Sequence, residues 1–264
     1  MHPLEGSVAH ILVTNDDGIN SPGLSTLAHA LEPLGRVTVL APDHNWSTSG
    51  HVKTLHKPLR ARLTQLPDGT PAYSSDGAPS DCVALALLGL IPEKVDLCVS
   101  GINAGANLGN DVTYSGTVTA AMEAVISGVP GIAVSLDLPE DQVEPCDFSP
   151  SGKIAARVAR LVMEHGLPPD SLLNVNVPSL AYDELRGVVV TRLGLRVYRD
   201  ELVRRLDPRG KPYYWIGGPP PTGISEEGSD FWAVTQGYVS VTPIHLDLTD
   251  HDSIALLNDW KWEE

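Results

Sequence analysis

The stretch His10-Ile11-Leu12-Val13-Thr14-Asn15-Asp16-Asp17-Gly18 decides the fold. His10 to Thr14 form an unbroken, β-branched run, the pattern of a strand buried on both faces in a parallel sheet. The run stops at a polar turn. Leu24, Leu27, Leu31 and Leu34 then recur at helical spacing, and Arg36 to Pro42, RVTVLAP, read as a second strand. Strand, helix, strand predicts a parallel pair joined by a crossover helix.

Outward from this unit the alternation continues. Cys82 to Leu90 read as a helix, Val95 to Ser100 as a strand, Val118 to Ile126 as a helix and Gly131 to Ser135 as a strand. Ser149 to His165 form a further helix and Leu172 to Pro178 a further strand. The expected class is α/β, a parallel sheet with helices on both faces.

Beyond Pro178 the character changes. Val188 to Gly194 read as a strand, and the charged, aromatic segment 196–218 as a long hairpin around Asp207-Pro208-Arg209-Gly210. Gly217 to Gly223 contain three consecutive prolines and read as loop. Val239 to Ile244 form a last strand and Ser253 to Trp260 a last helix. The hairpin carries Tyr198, Tyr213, Tyr214 and Trp215 with little core of its own. It is expected to pack on a neighbouring subunit, the alternative being that it folds back on its own domain. The organisation is thus a core of residues 1–195 with 231–248, an arm and loop over 196–230, and a C-terminal helix over 249–264.

Composition narrows the function. Of 264 residues, 33 are acidic and 18 basic, giving a formal charge of −15. Such a surface repels nucleic-acid backbones, so no DNA partner is expected. It also repels small anionic substrates, so an anion site must bring its own positive field, from a metal or from helix N-termini. The three cysteines, Cys82, Cys98 and Cys146, are odd in number and lack C-x-x-C spacing, against a disulfide framework or a structural zinc. The first residues, MHPLEGSVA, lack the pattern of a signal peptide. The longest apolar run, Cys82 to Ile91, is too short to cross a bilayer. The expectation is a cytoplasmic protein with no membrane partner.

Chemistry concentrates where strands end, the place at which open α/β sheets bind ligands. Asp16 and Asp17 follow the first strand. Two adjacent carboxylates repel unless a positive charge lies between them or one is protonated. A hard divalent cation meets that need with oxygen donors. An ordinary turn with a helix cap is the competing explanation. After the second strand comes Ala41-Pro42-Asp43-His44-Asn45-Trp46-Ser47-Thr48-Ser49-Gly50-His51, in which Ser47 offers a hydroxyl. After Val95 to Ser100 comes a glycine- and asparagine-rich loop in which Asn103 offers an amide oxygen. It is not a Walker A loop, and the turn after the first strand lacks G-x-G-x-x-G. Ser115 is a natural N-cap for the following helix, and Gly116 in its first turn lets an anion come close.

Together these segments resemble the SurE survival-protein family of metal-dependent 5′-nucleotidases. The matching pieces are ILVTNDDGINSPG, VLAPDHNWSTSGH, GAPSDCV, VSGINAGANLGNDVTYSGTVTAAMEA, LLNVNVP and GYVSVTPIH, in order from residue 11 to 245. The resemblance implies a Rossmann-like core and a C-terminal arm exchanged between subunits of a homodimer or homotetramer. It also implies one divalent ion per subunit, Mg or Mn, bound by Asp16, Asp17, Ser47 and Asn103. On this reading Asn107, Ser115, Gly116 and Thr117 hold the phosphate of a nucleoside monophosphate, and Asp16 or Asp17 takes the proton from the attacking water. Two rivals remain. Asp16 could be a phosphorylated nucleophile, although D-x-D-x-T is missing. The chain could also be a nucleotide-binding regulator without turnover.

Overall fold

A computed structural model describes residues 8–138, 146–197, 199, 201–217 and 222–262. The opening unit is as expected: β1 (His10–Thr14), α1 (Pro22–Leu31) and β2 (Arg36–Pro42). There follow β3 (Ala61–Gln65), β4 (Pro71–Ser75) and α2 (Pro79–Leu85). Next come β5 (Leu97–Ala104), α3 (Gly116–Ile126), β6 (Gly131–Asp137), α4 (Ser149–His165) and β7 (Ser171–Pro178). The remainder is β8 (Val188–Val190), β9 (Arg196–Val197), β10 (Glu201–Leu206), β11 (Pro212–Gly217) and β12 (Thr222–Gly223). The chain ends with α5 (Asp230–Thr235), β13 (Val239–His245) and α6 (His251–Asn258).

The main sheet has the order β3-β4-β2-β1-β5-β6-β7-β13-β8. Its centre, from β4 through β7, is parallel throughout. The edges are not: β3 runs antiparallel to β4, and β13 antiparallel to β7. Alternation along each central strand divides the core. Ile11, Val13, Leu97, Val99, Ile132 and Val134 face α1 and α4, where Leu24, Leu27, Ile154 and Val158 meet them. Leu12, Leu40 and Cys98 face the other side, against Cys82 and Val83 of α2 and Ala120 and Ala124 of α3. Helices therefore cover both faces, and every parallel strand of the centre ends on the same edge.

Several elements differ from the sequence reading. The edge strand β3 and its neighbour β4 are absent from the sequence reading, because ARLTQ and PAYSS lack the alternation that marks a half-buried strand. The helix expected over Cys82 to Leu90 begins at Pro79 and stays regular to Leu85. Wider turns follow, and Gly89 leaves the helical region at φ 117°. The strand expected over Val188 to Gly194 stops at Val190. The hairpin is shorter than expected and pairs Glu201–Leu206 with Pro212–Gly217. Arg196 and Val197 leave it to pair with Thr222 and Gly223, inside what read as loop. Tyr198 and Pro219 to Pro221 lie outside the described residues. Asp207 closes the hairpin, its Oδ1 accepting from the backbone N–H groups of Arg209 and Lys211 at 2.9 and 2.8 Å. The final helix runs two residues earlier than expected, from His251 to Asn258.

Candidate active site at the carboxyl edge of the sheet

Asp16 follows β1 and is buried, with 3% of its surface exposed. Thr117 Oγ1 donates to its Oδ1 at 2.5 Å. Burial pushes the carboxyl pKa up, while the Thr117 hydroxyl and the N–H groups of Asp16, Thr117 and Gly116 pull it the other way. The start of α3 is thus aimed at this carboxylate. A side chain at Gly116 would bring a Cβ within 2.7 Å of Asp16 Cβ and 2.9 Å of Oδ2, so only glycine lets the helix come this close. Ser115 caps the helix by accepting the N–H of Val118 at 3.1 Å.

Asp17 sits beside it. Its Oδ2 accepts the N–H of Ala104 at 3.4 Å, and its Oδ1 lies 3.5 Å from Asn45 Nδ2. Asn45 in turn accepts both the N–H and the hydroxyl of Ser47, at 2.7 and 2.6 Å. Asn103 donates through Nδ2 to Gly105 O at 2.7 Å, which leaves its Oδ1 as the donor atom for a cation. The peptide between Gly101 and Ile102, just before it, is cis. The segment carrying Ser47 is tied to the turn after β1, since the Trp46 N–H donates to Asp16 O at 2.7 Å. Gly18, at φ 95°, brings the chain within 3.0 Å of His44 for the Cβ that it lacks.

Asp16, Asp17, Ser47 and Asn103 are therefore gathered around one edge, together with Ser115, Gly116 and Thr117. Asn107 is placed differently. Its hydrogen bonds run to the ends of β6 and β7: Nδ2 to Ser135 Oγ at 2.7 Å and its N–H to Asn176 Oδ1 at 2.8 Å. Its carbonyl accepts from Asn174 and Asn176.

The donor set fits a hard divalent ion. It offers two carboxylates and neutral oxygens. Among the described residues no cluster of three or more His, Cys, Asp or Glu could hold a metal ion, so an ion here would rely on two carboxylates completed by neutral oxygens. The two cysteines on the α2–α3 side of the sheet are inert, since burial raises the Cys98 thiol to about 12 and raises Cys82 as well.

A family model described as "Survival protein SurE" matches residues 11–200. The chain belongs to the SurE family. A relative named "5'-nucleotidase SurE" from Chloroflexus aggregans is 54% identical over 96% of this chain and the whole of its own length. One of the same name from Herpetosiphon aurantiacus is 53% identical over 96% of this chain and 98% of its own. A solved structure, the SurE protein from Aquifex aeolicus, superposes with a TM-score of 0.79 at 44% identity, covering 95% of this chain and 100% of its own. The SurE segments quoted from the sequence thus coincide with the elements that build this edge.

Four residues that tie the SurE motifs together were not anticipated. Asn45 bridges Asp17 and Ser47. Asp81 of GAPSDCV accepts the N–H groups of Thr54 and Ala78, at 2.8 and 3.0 Å, and anchors the far end of the Ser47 segment to α2. Asp230, fully buried, accepts the N–H groups of Gly109, Gly194 and Phe231, each at 2.8 Å. Arg196 pairs with Asp111 at 3.1 Å, in the turn whose carbonyl receives the N–H of Ser115. Each acts across a long sequence separation and carries no local signal.

Proposed function

We propose that this chain is a divalent-metal-dependent phosphomonoesterase that hydrolyses nucleoside 5′-monophosphates to nucleoside and phosphate. The observation that carries the reading is the adjacent pair Asp16 and Asp17, one of them buried, facing the N-terminus of α3 across a missing Cβ at Gly116. Relatives about 50% identical over nearly the whole chain carry the name 5'-nucleotidase SurE, which supports the substrate class.

Asp16, Asp17, Ser47 Oγ and Asn103 Oδ1 would hold the ion, Mg or Mn, one per subunit. When bound, it supplies charge neutralisation at the phosphoryl oxygens and activation of water. The chain's own residues do the rest. The helix start at Ser115, Gly116 and Thr117, whose N–H groups at Gly116 and Thr117 reach Asp16 in the metal-free chain, would set the positive end of the α3 dipole behind the phosphate. These donors are fixed before substrate arrives and so favour the charge that develops as the ester bond breaks. Asn107, held rigid by Ser135 and Asn176, supports the phosphate from the β6 side. Asp16 or Asp17 accepts the proton of the attacking water.

The arm exposes Leu202, Tyr214, Trp215 and Ile216, and α6 exposes Ile254 and Leu256. Exposed apolar groups on the arm and on α6 suit a homodimer or homotetramer in which the arm crosses to a neighbour. The low basic content fits a small-molecule substrate rather than DNA. Among the described residues no helix is long and apolar enough to cross a membrane, and the expected location is the cytoplasm.

The test is a panel of nucleoside 5′- and 3′-monophosphates with Mn or Mg present. Release of phosphate from 5′-monophosphates is the expected result. Binding of nucleotides without any turnover would instead make the chain a regulator.

A further inference from the structure

Glu123 lies further along α3 and takes no part in the chemistry above. Only 5% of its side chain is exposed. A carboxylate buried alone is costly and must be paired. Its Oε2 lies 3.0 Å from His51 Nε2 and its Oε1 accepts from Lys53 Nζ at 3.0 Å. Both partners come from one segment, the one that carries Ser47.

That segment is anchored on each side of Ser47. Before it, the Trp46 N–H donates to Asp16 O. After it, the Gly50 N–H donates to Tyr114 O at 2.9 Å, and Thr119 Oγ1 donates to Gly50 O at 3.0 Å. Ser80 Oγ donates to Val52 O. Between the anchors, Thr48 has φ 59°. That is the left-handed region, which β-branched residues rarely enter. Such a residue persists only where its surroundings hold it. The buried carboxylate adds to that hold, because it draws His51 and Lys53 of the segment onto α3, the helix whose start faces Asp16.

We propose that Glu123, through His51 and Lys53, is a positioning residue that fixes Ser47 as a ligand of the divalent ion. The inference rests on the ligand role proposed above for Ser47. Glu123 touches no reacting atom and acts only by docking the segment. As a contribution to stability the cluster counts for little, since His51 and Lys53 are 32% and 53% exposed. Its product is one geometry for the residues between the anchors.

The test measures Mn²⁺ binding to the full chain by the electron paramagnetic resonance of free Mn²⁺, with melting curves in metal-free buffer. The variants are S47A, E123A and the two combined. Outer residues that orient metal ligands typically contribute roughly tenfold or more in affinity, and E123A should lose about that much. S47A should lose affinity too, and the double variant should be no weaker than the weaker single, because both changes remove one interaction. Unchanged Mn²⁺ affinity in E123A, with a lowered melting temperature, overturns the proposal, as do losses that add in the double variant. Unchanged affinity in S47A overturns the ligand role of Ser47 and the inference with it. Should E123A fail to fold, K53M removes only the half-exposed cation. It should then weaken Mn²⁺ binding while the chain still folds, and unchanged affinity there also overturns the proposal.

Discussion

Asp16 carries two opposed demands. It must stay charged to hold a cation, yet burial pushes its pKa above the ordinary 3.8. In metal-free protein the native state therefore binds this proton more tightly than the unfolded chain does. Stability contributed at this site is present at low pH and lost as pH rises from 3.8 through the raised value. Asp16→Asn removes the buried charge. In chelator at pH 7 it should melt at a higher temperature than wild type, and the difference should vanish below about pH 4, where both side chains are neutral. Calorimetry across pH checks this, and a variant equally or less stable at pH 7 would contradict it. The same variant should lose activity by more than about a hundredfold, beyond the usual effect of an outer residue.

At the scale of elements, the site is an edge on which loops from distant parts of the chain are tied. Asp230, at the start of α5, holds three backbone N–H groups from the loops at Gly109 and Gly194 and from its own helix. Removing one buried acceptor strands several donors, each unmet group costing about 1–3 kcal/mol. Asp230→Ala should therefore lose at least about 3 kcal/mol, and with it roughly 6 °C or more in melting temperature for a chain this size. A loss under 1 kcal/mol by denaturant titration would show that the loops hold themselves. The contrast with the legible elements is physical. The strands β1, β2 and β7 are rich in Val, Leu or Ile between turn signals and α4 has a clear helical stripe, so their patterns are local. In β3, an edge strand, Arg62 and Gln65 face solvent, and β4 carries the buried polar pair Ser74 and Ser75, so neither shows an apolar stripe. In α5, a six-residue helix carries Phe231 and Trp232, which read as readily as strand. The ligand candidates were legible because strand ends, turn chemistry and the family resemblance coincide at Asp16, Asp17, Ser47 and Asn103. Asp81, Glu123, Asp230 and Arg196 were not, because their roles exist only once segments far apart in sequence meet.

For the whole molecule, charge and exposed apolar surface set the terms. A chain with a formal charge of −15 admits an anionic substrate only where the field is locally reversed. The start of α3 reverses it in part, and a divalent ion between Asp16 and Asp17 would complete it. The arm belongs to the same scale. Tyr213, Tyr214, Trp215 and Ile216 are all exposed on a two-stranded hairpin, which is marginal by itself in water. Deleting residues 201–217 should give a monomer with a lowered melting temperature, or aggregation. Light scattering reads the outcome, and a deletion variant with the wild-type oligomer would place the interface elsewhere.

The central claim is hydrolysis that depends on an oxygen-ligated divalent ion at Asp16 and Asp17. The direct measurement is phosphate release from a nucleoside 5′-monophosphate by protein stripped with chelator and then supplied with Mn²⁺ or Mg²⁺. The account predicts no turnover in the stripped protein and recovery on adding the ion, and no recovery in Asp17→Asn. Full turnover in excess chelator, with metal analysis showing none bound, would contradict it.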